Sequence, residues 1–169
     1  MRITKEKIKH YLKEIFYFII VMAIVANLMS LYRSQSLSNE PLKIQTFKLI
    51  NNTDYTIDTK RPTIIHFWAT WCPTCKMEAS NINFLSKYYQ IITIAVKSGS
   101  DYELKQYLDT HNYHFLVVND KDGSLSQKFK IAGYPTTFVY NQEGTLVFKE
   151  VGYTSTLGLW LRILWAGNK

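Results

Sequence analysis

The two cysteines of the chain, and its only ones, stand three positions apart in His66-Phe67-Trp68-Ala69-Thr70-Trp71-Cys72-Pro73-Thr74-Cys75-Lys76. Cysteines at i and i+3 on a first helical turn can close a small, reversible disulfide. The free N–H groups and partial positive charge of a helix N-terminus favour thiolate over thiol. Pro73 suits that turn, where a missing N–H costs nothing. Cys72 is thus the better placed nucleophile, and Cys75 the partner that resolves a mixed disulfide. Two other readings compete. A structural staple closing so short a loop constrains the unfolded chain little. A zinc site would use C-x-x-C as one half, but the chain has no second C-x-x-C. Its four histidines, His10, His66, His111 and His114, do not form an H-x3-5-H pair. Redox chemistry fits best, and no metal or other cofactor is expected.

Such a pair needs a strand to deliver it and a helix to carry it. Thr63–Ala69 is a mostly apolar run of buried-strand type, and Pro73–Tyr89 follows with Met77, Ile82, Leu85 and Tyr88-Tyr89 spaced for one helical face. Ile91–Val96 reads as a second buried strand. Ser100-Asp101 with Glu103 resembles a helix start, and Tyr102–His111 carries Leu104, Tyr107 and Leu108 at helical spacing. A strand at His114–Val118, a turn at Asp120–Gly123 and a short helix at Ser124–Phe129 come next. Thr136–Tyr140 and Thr145–Val151 are strands joined by a hairpin signal, Asn141 to Gly144. Thr154–Trp165 closes as an amphipathic helix with Leu157, Leu161 and Leu164 on one side. Upstream, Lys43–Ile50 and Tyr55–Asp58 read as strands around a turn at residues 51–54. The order predicts an α/β fold, a mixed central sheet with helices on both faces.

The length, 169 residues, suits one domain plus an appendage. Ile15 to Tyr32 is uncharged for 18 residues, just long enough to cross about 30 Å of hydrocarbon. Before it, Arg2, Lys5, Lys7, Lys9 and Lys13 outnumber Glu6 and Glu14, which by the positive-inside tendency keeps the N-terminus cytoplasmic. A cleavable signal would have a shorter apolar core and small residues after it, and Val25-Ala26-Asn27 is a poor cleavage site. A buried core helix would show a polar face, which is missing. The expected organisation is a basic cytoplasmic flank (1–14), a transmembrane signal-anchor (15–32), a flexible serine-rich tether (33–41) and one domain (42–169). An exported domain with two cysteines in one C-x-x-C has no structural disulfide framework. The net charge of +7 owes three units to the flank, and the remaining lysines are scattered, so nucleic-acid binding is not suggested.

Ala132-Gly133-Tyr134-Pro135-Thr136-Thr137 lies just before a predicted strand. Together with Phe67-Trp68-Ala69-Thr70-Trp71-Cys-x-x-Cys-Lys about 60 residues upstream, it resembles the thioredoxin superfamily over residues 41–166. The resemblance implies a thioredoxin-like fold in which Pro135 is cis beside the nucleophilic sulfur, while the Tyr134 backbone offers hydrogen bonds to a substrate strand. The anchor, the tether, the two leading strands and the Ala-Thr-Trp-Cys-Pro-Thr-Cys stretch are similar to the membrane-anchored periplasmic TlpA/ScsD/DsbE branch. DsbE-like members typically place Glu after the cis proline, where this chain has Thr136, which favours the TlpA/ScsD-like group. His66 stands where thioredoxins proper carry a buried acid that assists the resolving cysteine. It is one candidate for proton handling, its bland alternative being a hydrogen-bonded strand histidine. Glu78 is a second candidate, expected instead to lie solvated one turn along the helix. Trp68 and Trp71 are expected to flank the site, and Trp71, Pro73, Thr74, Tyr134 and Pro135 to support it and contact substrate.

The resemblance implies thiol–disulfide exchange with exported proteins carrying disulfides or thiols. It favours a reductant recharged by a membrane thiol reductant of the DsbD type, with a single-pass anchor in the bacterial inner membrane and the catalytic domain periplasmic. The alternatives are a disulfide-donating oxidase, a copper-handling protein on the same fold, and a non-catalytic binding module in the groove between Trp71 and Pro135. Copper carriers of that kind usually space their cysteines more widely and add a distant histidine, and His111 and His114 lie in the wrong region for it.

Overall fold

The computed structural model describes residues 5–168. A long helix, α1 (Lys5–Ser34), precedes β1 (Thr46–Lys48), β2 (Asp54–Thr56), β3 (Thr63–Trp68), α2 (Pro73–Leu85), β4 (Gln90–Val96) and α3 (Asp101–His111). Then come β5 (Leu116–Asp120), α4 (Ser124–Lys128), β6 (Thr136–Tyr140), β7 (Leu146–Val151) and α5 (Thr156–Gly167). The main sheet runs β5-β4-β3-β6-β7. Its β3, β4 and β5 pair in parallel, whereas β6 and β7 are antiparallel to their neighbours. Strands β1 and β2 form a separate antiparallel pair. This is the mixed sheet expected from the order of elements.

β3 and β4 are buried at every position, which is why their sequences read as continuous apolar runs rather than alternating ones. Each face of the sheet carries its own core. On one, Ile64, Ile91, Val117 and Val139 meet Ile82 and Leu85 of α2, Leu104 and Leu108 of α3, and Leu159 and Ile163 of α5. On the other, Ile65, Phe67, Ile92, Ile94 and Phe138 meet Phe129 after α4, Phe47 of β1 and Leu37. α3 begins as expected: Ser100 Oγ accepts from the Glu103 N–H, and Glu103 Oε2 accepts from the Ser100 N–H at 2.7 Å.

Three expectations are corrected. α2 ends at Leu85, four residues early, because Ser86 caps it and the N–H groups of Tyr88 and Tyr89 fold back onto the Leu85 carbonyl as the chain turns into β4. Met77 and Tyr88 are exposed, and the buried face is Cys75, Glu78, Ala79, Ile82 and Leu85. In α5 the inward residues are Leu159, Ile163 and Ala166, and Leu157, Leu161 and Leu164 face outward. That helix is apolar almost all round, so helical spacing does not choose a face and packing against α2 and β6 does.

The segment expected to be a flexible tether is pinned instead. Leu37 is buried, the Ser38 N–H donates to the Phe129 carbonyl, and Lys149 Nζ donates to Leu37 O and Asn39 Oδ1. Upstream, Ile8–Ser34 forms 27 continuous helical residues long and apolar enough to cross a membrane, and it contains the expected 15–32 span. At its end, the Val151 N–H donates to Ser30 Oγ.

Candidate active site

β3 delivers the chain to its carboxyl end, Ala69–Trp71 turn, and α2 starts at Pro73 with Cys72 as its N-cap in extended conformation. Cys72 and Cys75 are joined as a disulfide with their Cα atoms 5.3 Å apart. Cys72 Sγ accepts a hydrogen bond from the Cys75 N–H at 3.1 Å, taking one of the donors a helix start leaves free. Both residues are buried, Cys72 at 5 % exposure and Cys75 slightly deeper at 2 %. Both belong to the cluster under α2 and α5, with Tyr134 packed against it.

The exposed ring of Trp71 stands edge-on to Tyr134, centroids 5.5 Å apart, and its Nε1–H donates to the Lys97 carbonyl. Trp68 goes the other way: it is buried against Tyr107 and Phe115, beneath the site rather than at its rim. The Tyr134–Pro135 peptide bond is cis and Pro135 is buried. The Pro135 carbonyl accepts from the Gly152 N–H at 2.8 Å, which ties the start of β6 to the end of β7. Pro73 is exposed and Thr74 half-buried, with no charged side chain between the cysteines.

Two buried titratable groups lie on the elements that carry the disulfide, β3 and α2. His66 is buried in β3, its Nδ1 2.9 Å from Thr137 Oγ1, and burial pushes its pKa down to about 3. It is therefore neutral throughout the ordinary range and a poor base. Glu78, one turn beyond Cys75, is fully buried rather than solvated, which overturns the expectation for it. Neither carboxylate oxygen has a well-formed hydrogen bond. Burial pushes its pKa up to about 8; the Thr154 backbone N–H pulls it down, Glu150 raises it and Arg162 lowers it.

With this geometry in place, the relatives bear on the chemistry. Residues 37–149 match the AhpC/TSA family model. The chain belongs to the AhpC/TSA family. A thioredoxin-like protein of Haemophilus influenzae is 31% identical over 163 residues, 95% of this chain and 97% of that one. The thiol:disulfide interchange protein DsbE of the same organism is 31% identical over 109 residues, covering 62% of this chain and 60% of that relative. Among solved structures, StoA of Bacillus subtilis superposes with a TM-score of 0.62 at 23% identity, over 74% of this chain and 98% of that one, a likeness of fold. The fold is thioredoxin-like, and with its C-x-x-C pair this family member is a thiol–disulfide oxidoreductase.

The fold of this AhpC/TSA chain gathers Cys72, Cys75, Trp71, Tyr134, Glu78 and His66 around one sheet end and the face beneath it. His111 and His114 are elsewhere: the first stacks among Tyr107 and Tyr113, the second reaches Asn112 Oδ1. Among the described residues, no three His, Cys, Asp or Glu side chains gather as a metal site. Sequence reasoning missed the depth of Glu78, although its position three residues after Cys75 and four before Ile82 places all three on one helical face. It missed Glu150 and Arg162 entirely, because only strand register and helix docking bring them near.

Proposed function

We propose that the chain reduces disulfides of exported proteins, held at the membrane by its N-terminal helix. The carrying observation is the one-turn disulfide whose outer sulfur caps α2 while its inner sulfur lies one turn from a buried acid. In the reduced enzyme, Cys72 thiolate attacks a substrate disulfide; a Cys72–substrate S–S bond forms and one substrate thiolate leaves, taking a proton. Cys75 then gives its proton to ionised Glu78, and its thiolate attacks Cys72 Sγ. The Cys72–Cys75 bond closes, the second substrate thiolate leaves, and the proton returns to substrate or solvent. Two electrons and two protons pass from enzyme to substrate. Pro73, Thr74, Trp71, Tyr134 and cis Pro135 shape the rim that holds the substrate strand, and His66 serves as a neutral, hydrogen-bonded core group.

We read the direction as reductive from what would stabilise the reduced form. Strong oxidants of this chemistry owe their potential to a stabilised thiolate. Here the dipeptide between the cysteines is uncharged, Cys72 Sγ accepts one peptide N–H, and the buried titratable group one turn beyond Cys75 is acidic. The oxidised enzyme then requires a two-electron dithiol donor, for which a membrane reductant of the DsbD type is the fitting class. The basic flank supports a reading with residues 1–14 in the cytoplasm of a bacterium and the catalytic domain on the periplasmic side.

The test is a trapping experiment. Cys75→Ser should accumulate a mixed disulfide through Cys72 with exported proteins, and reducing agent should release it. Cys72→Ser should trap nothing; equal capture by both variants would refute the assignment of nucleophile and resolver. Restoration of the reduced state in membranes containing a DsbD-type protein, and not in membranes lacking one, tests the partner.

A further inference from the structure

A polar seam crosses the face of the sheet that carries the disulfide. His66 of β3 registers with Thr137 of β6, and Thr137 with Glu150 of β7. Residues abreast in neighbouring strands project to the same face. That face is the one covered by α2 and α5, because Ile64, Trp68 and Val139, two residues away in the same strands, pack there. From α5, Arg162 reaches Glu150 with Nη2 to Oε2 at 2.7 Å, the two side chains only 24% and 15% exposed. From α2, Asn81 donates to the Thr154 carbonyl, which holds the loop before α5 beside the helical turn that carries Glu78. Glu78 Oε1 and Oε2, Thr154 Oγ1 and Arg162 Nη1 are all buried without a well-formed hydrogen bond, so unspent polar capacity is concentrated at this seam.

We propose that the Glu150–Arg162 ion pair is a positioning device that sets the charge state of Glu78, and through it the pH range in which Cys75 resolves a mixed disulfide. The inference rests on the reading of Glu78 as proton acceptor. The groups that act on Glu78 are Glu150 on β7, Arg162 on α5 and the Thr154 peptide before it; Cys75 shares its buried face of α2, and His66 lies on the same face of the sheet as Glu150. His66 is neutral, and Lys149 points to the opposite face toward Leu37 and Asn39. That leaves Glu150 and Arg162 as the fixed charges, and they act on Glu78 with opposite sign. Removing Arg162 withdraws an attraction and strips Glu150 of its partner, which makes the Glu78 anion harder to form. Removing Glu150 withdraws a repulsion and frees the Arg162 charge for Glu78, which makes the anion easier to form.

The experiment follows the Glu78 carboxyl carbon by NMR in the oxidised full-length chain in detergent micelles, with carbon-13-labelled glutamate, assigned by the resonance lost in Glu78→Gln. Arg162→Gln should raise its midpoint and Glu150→Gln lower it, each by roughly half a unit. Arg162→Lys should leave it in place. The neutral double variant, which carries no unpaired charge to unfold it, should fall between the singles. A purely structural ion pair would shift both singles the same way or not at all, and either result overturns the proposal. In parallel, the pH profile of Cys72–Cys75 closure by oxidised glutathione should move with each midpoint. If midpoints move in opposite directions and the rate profile stays fixed, the electrostatic coupling stands and Glu78 is not the proton acceptor.

Discussion

Buried titratable residues make opposite demands on pH here. Glu78 has a folded pKa raised from 4.5 to about 8, so it adds stability below 4.5 that is lost as pH rises toward 8. His66 has its pKa lowered from 6.5 to about 3, so it adds stability above 6.5 that is lost as pH falls toward 3. Between 4.5 and 6.5 the two slopes, each at most about 1.4 kcal/mol per pH unit, cancel. Stability from these two groups should therefore be flat in that window and fall on both sides, as denaturant melts at pH 4, 5.5 and 7.5 can show. Glu78→Gln should remove the alkaline decline and slow Cys75 attack above pH 8; an unchanged alkaline limb would refute the buried-acid assignment. The cysteine pair and the Tyr134-Pro135 segment were legible in the sequence because their types and spacing are themselves the chemistry. The burial of Glu78 was not read, because a glutamate is ordinarily a surface residue and only the register of Cys75, Ala79 and Ile82 argues otherwise.

Elements were legible to different depths. β3 and β4 were evident from their apolar runs, and the β6–β7 hairpin from its turn residues, because these signals are local. The inward faces of α2 and α5 were misread because both helices expose large apolar side chains, Met77 and Phe84 on one, Leu157, Leu161 and Leu164 on the other. Spacing alone gives a helix; only packing against the sheet says which stripe is covered. The corrected faces make a direct prediction. Leu159→Ala or Ile163→Ala should cost about 2–5 kcal/mol, whereas Leu161→Ala should stay within about 0.5 kcal/mol. Chemical denaturation of the three variants decides it, and a larger loss for Leu161→Ala would restore the original face.

The molecule as a whole combines a membrane-length helix, a strap from residue 35 to 41 folded onto the domain, and a redox pair at one end of the sheet. Its stability rests on two apolar cores rather than on its one disulfide, which closes a loop of a single turn. Reduction should therefore cost no more than about 2 kcal/mol, so the domain can cycle between redox states without unfolding; melting the reduced and oxidised chain side by side checks this. The central claim, a reversible Cys72–Cys75 couple working as a reductant, is tested most directly by a redox titration of the full-length chain in glutathione buffers followed by tryptophan fluorescence. We expect one two-electron transition, absent in Cys72→Ser, at a potential close to the thioredoxin value of about −270 mV. A midpoint near about −120 mV would make the protein a disulfide donor, and the absence of any reversible transition would contradict the account altogether.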